Sequence, residues 1–457
     1  MRNGKKVVSL LLAGVLAVLS CSCGNSSKEE NSKKEADSNP RTEMRDDMTT
    51  SQIVEEMGLG INLGNTLEAC GDWIDSSGGV NSYETAWGSP TITEDMIAGY
   101  AAAGFDSVRI PVAWSNLMAE DYTIAPELLD RVETVAQYVL DNGMYAVVNL
   151  HWDNGWIAGF STDYDTCMEK YTCIWEQVTE RFADYGDHLI LESMNEEGCF
   201  DDLWNRYSGS DDGKAEAYGI VNRINQQFVD LVRGSGGNNP RRHLLIAGYA
   251  TDVDLTCDEA FQMPQDEAGR CAVSVHYYTP PTFCILEEDA DWGKAKTTWG
   301  SPRDQRILEN DMDKLRSRFL DNGVPVIIGE YGCSTKNKTE ETVRTFLTAV
   351  AQAAYTKGMC PMLWDVTGVF YDRNNCRMLD SQLEQDLQEI AAAPRDGVHN
   401  VSGNWHLENA KFTGVSYQII KLFFTGNSRF RKNAQKQGVL LLVLYKNMWK
   451  IKKILAK

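Results

Sequence analysis

Two glutamates in this sequence each stand at the end of an apolar run. Glu196 closes Leu189-Ile-Leu-Glu-Ser-Met-Asn-Glu, and Glu330 follows Val324-Pro-Val-Ile-Ile-Gly. A carboxylate where a buried strand ends is costly unless it is hydrogen-bonded or has chemical work to do. Two carboxylates facing each other across a cleft can share one reaction. One, protonated, gives its proton to a leaving oxygen; the other, ionised, attacks the carbon left behind. At a separation of about 5–5.5 Å this is the arrangement of glycosidic cleavage with retention. Either glutamate alone fits a structural strand-end ion pair as well, because such networks also perturb carboxylates.

The neighbours supply what two such roles need. Arg109, after Ser107-Val108, can donate charge-assisted hydrogen bonds that keep a nucleophile ionised. Tyr278 can donate its hydroxyl to the same carboxylate, and His276 can orient or tune the acid. Asn195, beside Glu196, can reach a hydroxyl of a sugar. His151 is a further polar strand-end residue among only six histidines. An indole such as Trp364 offers a flat face for a pyranose ring. Asn65 and Trp152, also just past strand ends, complete the expected substrate-binding set.

These residues need a scaffold that gathers strand ends. Short apolar segments recur at 58–63, 107–111, 145–150, 189–193, 243–247, 272–275, 324–329 and 360–364. Between most of them lie helical stretches at 93–103, 126–142, 169–185, 214–233, 304–322 and 339–357, with a last one at 381–392. Continuously apolar strands alternating with helices imply a parallel sheet covered by helices. Eight such units predict an α/β fold, a (β/α)8 TIM barrel, whose active face lies at the C-terminal strand ends. An open doubly wound sheet is the alternative, but Gly64-Asn65-Thr66 is not the Gly-rich phosphate turn that such a sheet carries.

The two ends of the chain read differently. Residues 1–20 hold basic residues followed by an apolar run too short to span a bilayer, which takes about 20 residues. They read as a signal peptide. Val18-Leu19-Ser20-Cys21 is similar to a bacterial lipobox, so Cys21 is expected to be lipidated. Residues 21–50 then form a polar, flexible tether, and residues 51–394 the barrel. The tail, 395–457, has a Gly/Asn-rich part suggestive of a truncated β-module. Its basic end, 429–457, has nine Lys/Arg and no acid, and reads either as lacking its own core or as docking on anionic lipid. These features predict an exported lipoprotein at the outer membrane or cell surface, with periplasmic or secreted placement as alternatives. A net charge of −21 over 457 residues excludes a non-specific nucleic-acid binder. The 12 cysteines include no CxxC pair, which argues against a zinc ribbon or a thioredoxin-type site. Cys271 and Cys360 read as small buried hydrophobes.

The segments Arg109-Ile-Pro-Val, Leu150-His-Trp-Asp, Met194-Asn-Glu, Val275-His-Tyr-Tyr, Ile328-Gly-Glu-Tyr-Gly and Leu363-Trp resemble the family-5 glycoside hydrolases, the old cellulase family A. The resemblance runs in order from about 52 to 393. It implies that Glu196 is the acid/base and Glu330 the nucleophile, an assignment spacing alone leaves open. It also implies supporting roles for Arg109, His151, Asn195, His276, Tyr278 and Trp364. Gly60-Ile-Asn-Leu-Gly-Asn-Thr-Leu-Glu, Glu84-Thr-Ala-Trp-Gly-Ser-Pro and Trp364-Asp-Val-Thr-Gly are similar to one branch of that family, the endo-β-1,4-glucanases, many also acting on xyloglucan or mixed-linkage glucan. Two departures stand out. Glu197 replaces the usual Pro and is expected to raise the pKa of Glu196 by like-charge repulsion. Trp152 replaces a frequent second His. Loop aromatics Trp73, Trp87, Trp152, Trp156, Trp292 and Trp299 are candidates for specificity.

The resulting expectation is a monomeric, cofactor-free and metal-free retaining endo-β-1,4-glucanase acting on a β-glucan. Membrane contact would come only through Cys21 and, on the second reading of the tail, its basic end. A non-catalytic glycan-binding lipoprotein would have lost a carboxylate, and both are present. A metal-dependent barrel hydrolase would need a His/Asp cluster, commonly HxH after the first strand, where this chain has Asn62-Leu-Gly-Asn.

Overall fold

The computed structural model describes residues 41–198, 200 and 202–395. The signal peptide, Cys21, most of the tether and nearly all of the tail lie outside the described residues.

Eight parallel strands close into a barrel in chain order. They are β1 (Gly60–Asn62), β2 (Ser107–Ile110), β3 (Tyr145–Asn149), β4 (Leu189–Glu192), β5 (Leu244–Ala247), β6 (Cys271–Tyr277), β7 (Val326–Tyr331) and β8 (Cys360–Leu363). The expected (β/α)8 fold is therefore the one formed, with each strand within a few residues of its expected place. Almost every strand residue is buried, which follows from having side chains inside the barrel on one face and helices on the other. Successive residues split between two cores. Val147, Ile190, Leu245, Ala272, Ile327 and Met362 fill the barrel interior. Val148, Leu191, Ile246, Val273 and Ile328 pack outward under the helices.

The helices begin where local chemistry lets them. Pro126 opens Pro126–Asp141 at a position where its missing N–H costs nothing. Asp163 caps Tyr164–Arg181, and this helix starts five residues earlier than the apolar pattern suggested. Ser301 and Asp304 form a capping box on Pro302–Arg318.

One boundary of the sequence reading needs correction. Residues 41–50 are not tether. Glu43 C=O accepts from Asp187 N–H at 2.9 Å, and Arg270 Nη2 donates to Asp46 C=O at 2.8 Å. Arg45 reaches fully buried Asp187 at 2.8 Å. The helix Thr50–Glu56 follows, opened by a Thr49–Gln52 capping box, and with the next residue places Ile53, Val54 and Met57 against the interior layer. Polar composition hid the segment: its side chains pair with groups at the strand starts, while only its backbone and a few apolar residues pack.

At the opposite end, the register of β6 against β7 shifts between Val275 and His276, so that His276 faces Glu330. Such an irregularity re-aims side chains where pairing ends.

Candidate active site

Arg109 is the hub. It leaves β2 fully buried and spends its guanidinium on four partners. Nε donates to Glu192 at 2.6 Å and Nη1 to Glu330 Oε1 at 2.7 Å. Nη1 also reaches Asn62 Oδ1 at 3.1 Å, and Nη2 reaches Asn195 Oδ1 at 3.0 Å. Burial by itself would lower the pKa of the guanidinium; Glu192 and Glu330 reverse that and raise it. Glu192 takes a second donor from Ser274 at 2.7 Å. The sequence reading missed Asn62, Glu192 and Ser274. Glu192 had a visible signal, a charge inside the apolar run Leu-Ile-Leu-Glu.

Glu330 is almost fully enclosed and has a donor on each oxygen. Arg109 holds Oε1, and the Tyr278 hydroxyl donates to Oε2 at 2.9 Å. Ionised acceptors form the stronger hydrogen bonds, so this environment stabilises a carboxylate. Burial, and then Glu330, push the Tyr278 hydroxyl well above its ordinary pKa, so it remains a donor.

Glu196 is set differently. Its side chain is 49% exposed against 6% for Glu330. His276 Nδ1 lies 2.7 Å from Glu196 Oε1 and 3.5 Å from Glu330 Oε2. Burial lowers His276 to about 4, so at neutral pH the contact is a hydrogen bond of a neutral imidazole and not an ion pair. The cleft walls raise the pKa of Glu196, against the opposing pull of Arg109. One oxygen of each glutamate lies within 4.8 Å of the other.

The expected effect of Glu197 takes a different form. Repulsion does not stand among the causes that raise Glu196; burial does. The penalty falls on Glu197 itself. Burial, then Glu196, then Asp153 push it up to about 8.

His151, Trp152, Asn195, Tyr278 and Trp364 line one cleft with the two glutamates, about 700 Å³ in volume, together with Ala158, Glu197, Phe200 and Ile285. The His151 and Trp364 rings are parallel within 4° at 5.7 Å. Burial, Arg109 and His276 keep His151 neutral. Asn65 is not in this lining. It sits in a left-handed turn, φ 60°, and gives its backbone N–H to Glu68. The inward polar residue of β1 is Asn62. The loop aromatics also divide. Trp73, Trp152 and Trp292 are exposed. Trp156 donates to Asp153 at 2.7 Å, and Trp299 packs on Phe346, so both are built into the scaffold. Cys360 is fully buried, as expected, but the Cys271 thiol donates to Asp266 at 3.3 Å.

Glu196, His276 and Glu330 are also a donor set close enough to hold a cation. A cation there would take one oxygen of Glu330, and each of the two already accepts a hydrogen bond, from Arg109 or from Tyr278. A shielded carboxylate and a half-open, pKa-raised carboxyl are equipped to act as nucleophile and proton donor on one bond.

The chain is similar to known proteins. The cellulase (glycosyl hydrolase family 5) model matches residues 67–368. Endoglucanase B of Clostridium cellulovorans is 33% identical over 397 residues, covering 84% of each chain. A xyloglucan-specific endo-β-1,4-glucanase of Bacteroides ovatus is 34% identical, over 73% of this chain and 68% of that one. Among solved structures, a broad-specificity endoglucanase from an uncultured bovine rumen ciliate superposes with a TM-score of 0.68 at 32% identity, covering 76% and 98% of the two chains. A family-5 lichenase from Caldicellulosiruptor in complex with cellotetraose gives 0.69 at 30% identity, covering 77% and 97%. The chain belongs to glycosyl hydrolase family 5, the cellulase family, and is a glycoside hydrolase.

Proposed function

We propose that the protein is a retaining endo-β-1,4-glucanase in which Glu330 is the nucleophile and Glu196 the acid/base. The observation that carries this is the pair itself. One oxygen of each lies within 4.8 Å of the other, with both donors on Glu330 and the open, pKa-raised position on Glu196. That separation suits direct attack; an inverting pair needs about 6.5–9.5 Å to admit water.

In the first step Glu330 attacks the anomeric carbon while Glu196 protonates the departing glycosidic oxygen. In the second, Glu196, now a carboxylate, takes a proton from water, which attacks the glycosyl ester and frees Glu330. Arg109 and Tyr278 hold Glu330 in line, and His276 holds Glu196. The Asn195 amide, whose oxygen is fixed by Arg109, presents its N–H groups to a sugar hydroxyl. Trp364 and Trp152 offer ring faces to the chain.

The substrate is a β-1,4-linked glucan. Relatives named endoglucanase, xyloglucan-specific endoglucanase and lichenase support this class. Exposed Trp73, Trp152 and Trp292 favour a long polymer. We place the protein outside the cytoplasm, anchored by a lipidated Cys21 and working as a monomer.

Reducing-sugar release and product profiling on carboxymethyl-cellulose, xyloglucan, mixed-linkage glucan and mannan test the function. Internal cleavage of a β-glucan, lost in both Glu196→Gln and Glu330→Gln, is expected. A folded wild type that binds one of these polymers and cuts none would make it a glycan-binding protein instead.

A further inference from the structure

Glu197 lines the cleft, without a partner among the described residues. Its carboxyl takes no hydrogen bond and no ion pair from the described residues, and it lines the same wall as Glu196 and Phe200. The charges that act on it are those of two acids, Glu196 and Asp153. A structural carboxylate would be expected to face a cation or a ring of N–H groups. The backbone is nevertheless held in place. Glu197 C=O accepts the Ala250 N–H at 2.7 Å. Gly198 follows with φ 130°, where a Cβ would stand 3.0 Å from the Tyr249 ring and 3.1 Å from the Ala250 nitrogen. The backbone of the segment is therefore held against the turn after β5, which fixes where the Glu197 side chain starts.

The direction matters. Trp364 follows β8, beside Glu330 on β7, and the His151 ring stacks on it from the end of β3. Glu197 follows the acid after β4, with its backbone bonded to Ala250 just past β5. When the sugar carrying the anomeric carbon stacks on Trp364 and its leaving oxygen takes the proton of Glu196, the leaving group extends toward Glu197. We infer that Glu197 is a specificity-determining residue whose carboxyl donates a hydrogen bond to a hydroxyl of the first sugar on the leaving-group side. A pKa pushed up to about 8 keeps it a donor at neutral pH and spares the proton donor beside it a second negative charge. This rests on the glucanase reading above and extends it to the leaving-group side.

The test compares two substrates on the full chain. Cellotetraose leaves a sugar behind; 2,4-dinitrophenyl β-cellobioside fills only the other side and leaves a phenolate. Glu197→Ala should lower the ratio of kcat/KM for cellotetraose to that for the aryl glycoside by about tenfold, the upper end for one neutral hydrogen bond. Glu197→Gln keeps an N–H donor and should hold the ratio within about threefold of wild type. Equal losses on both substrates, an unchanged ratio in Glu197→Ala, or a fall as deep in Glu197→Gln would overturn the inference. A wild type inert on both substrates would instead remove the hydrolase reading on which it stands.

Discussion

Removing the Tyr278 hydroxyl separates the two chemical steps. In the free enzyme the hydroxyl donates to Glu330 Oε2 at 2.9 Å. A hydrogen bond to a charged group is worth about 1.5–3 kcal/mol. During attack Glu330 gives up its charge, so the bond weakens toward the first transition state and Tyr278→Phe should not slow that step. In the glycosyl ester the oxygens carry little charge. As water displaces the sugar, charge returns to the carboxylate and the bond is re-formed. Only interactions stronger in the transition state than in the preceding ground state accelerate a step. At about 1.36 kcal/mol per factor of ten, the second step should slow by about 10- to 100-fold. Stopped-flow release of dinitrophenolate from the aryl cellobioside measures both. Tyr278→Phe should give a burst of about one equivalent and then a depressed steady state, with kcat and KM falling together. A kcat within about twofold of wild type, or a loss confined to the burst rate, would refute the reasoning.

Three further outcomes follow from the same contacts. Because the reaction needs protonated Glu196, and its pKa is raised by burial, the alkaline limb of kcat/KM on cello-oligosaccharides should lie above the range of a free carboxyl. That limb should vanish for the dinitrophenyl substrate, whose leaving group needs no proton; the same limb on both would contradict the assignment. Arg109→Met leaves the buried Glu192 without its cation, facing only the Ser274 hydroxyl, and should cost about 3–5 kcal/mol in urea unfolding, beyond its loss of activity. Asp187, buried yet held at about 2 by His188 and Arg45, adds stability that is full above its unfolded pKa near ~3.9 and is lost as pH falls toward its folded value. Arg45→Ala should flatten that acid-side loss in melts between pH 5 and about 2, and an unchanged pH profile would show that the 41–48 segment contributes nothing there.

The barrel was legible because its signal is repeated. Each strand is buried on both faces and therefore reads as an unbroken apolar run, and the carboxylates, histidines and Trp364 stand out at the ends of those runs. Features carried by polar or backbone contacts were less visible. Residues 41–48 look like linker by composition, yet their hydrogen bonds close the strand-start end of the barrel. Asn62 and Asn65 are two asparagines three residues apart, and the one nearer the strand end in sequence is turned aside by a left-handed turn. Ser274 and Glu192 hold the hub from below, at a depth that alternation places correctly only once the barrel is assumed. Glu197 was noticed as a departure, but its effect depends on depth, which sequence does not carry: burial protonates Glu197 itself.

Trapping the glycosyl-enzyme tests the central claim most directly. A 2-deoxy-2-fluoro-β-cellobioside with a dinitrophenolate leaving group slows the second step more than it slows the first. The account predicts a mass increase of one fluorocellobiosyl unit, mapped by peptide digestion to Glu330, and no adduct in Glu330→Gln. Turnover of natural glucan without an adduct, an adduct on Glu196, or first-formed products of inverted anomeric configuration would contradict it.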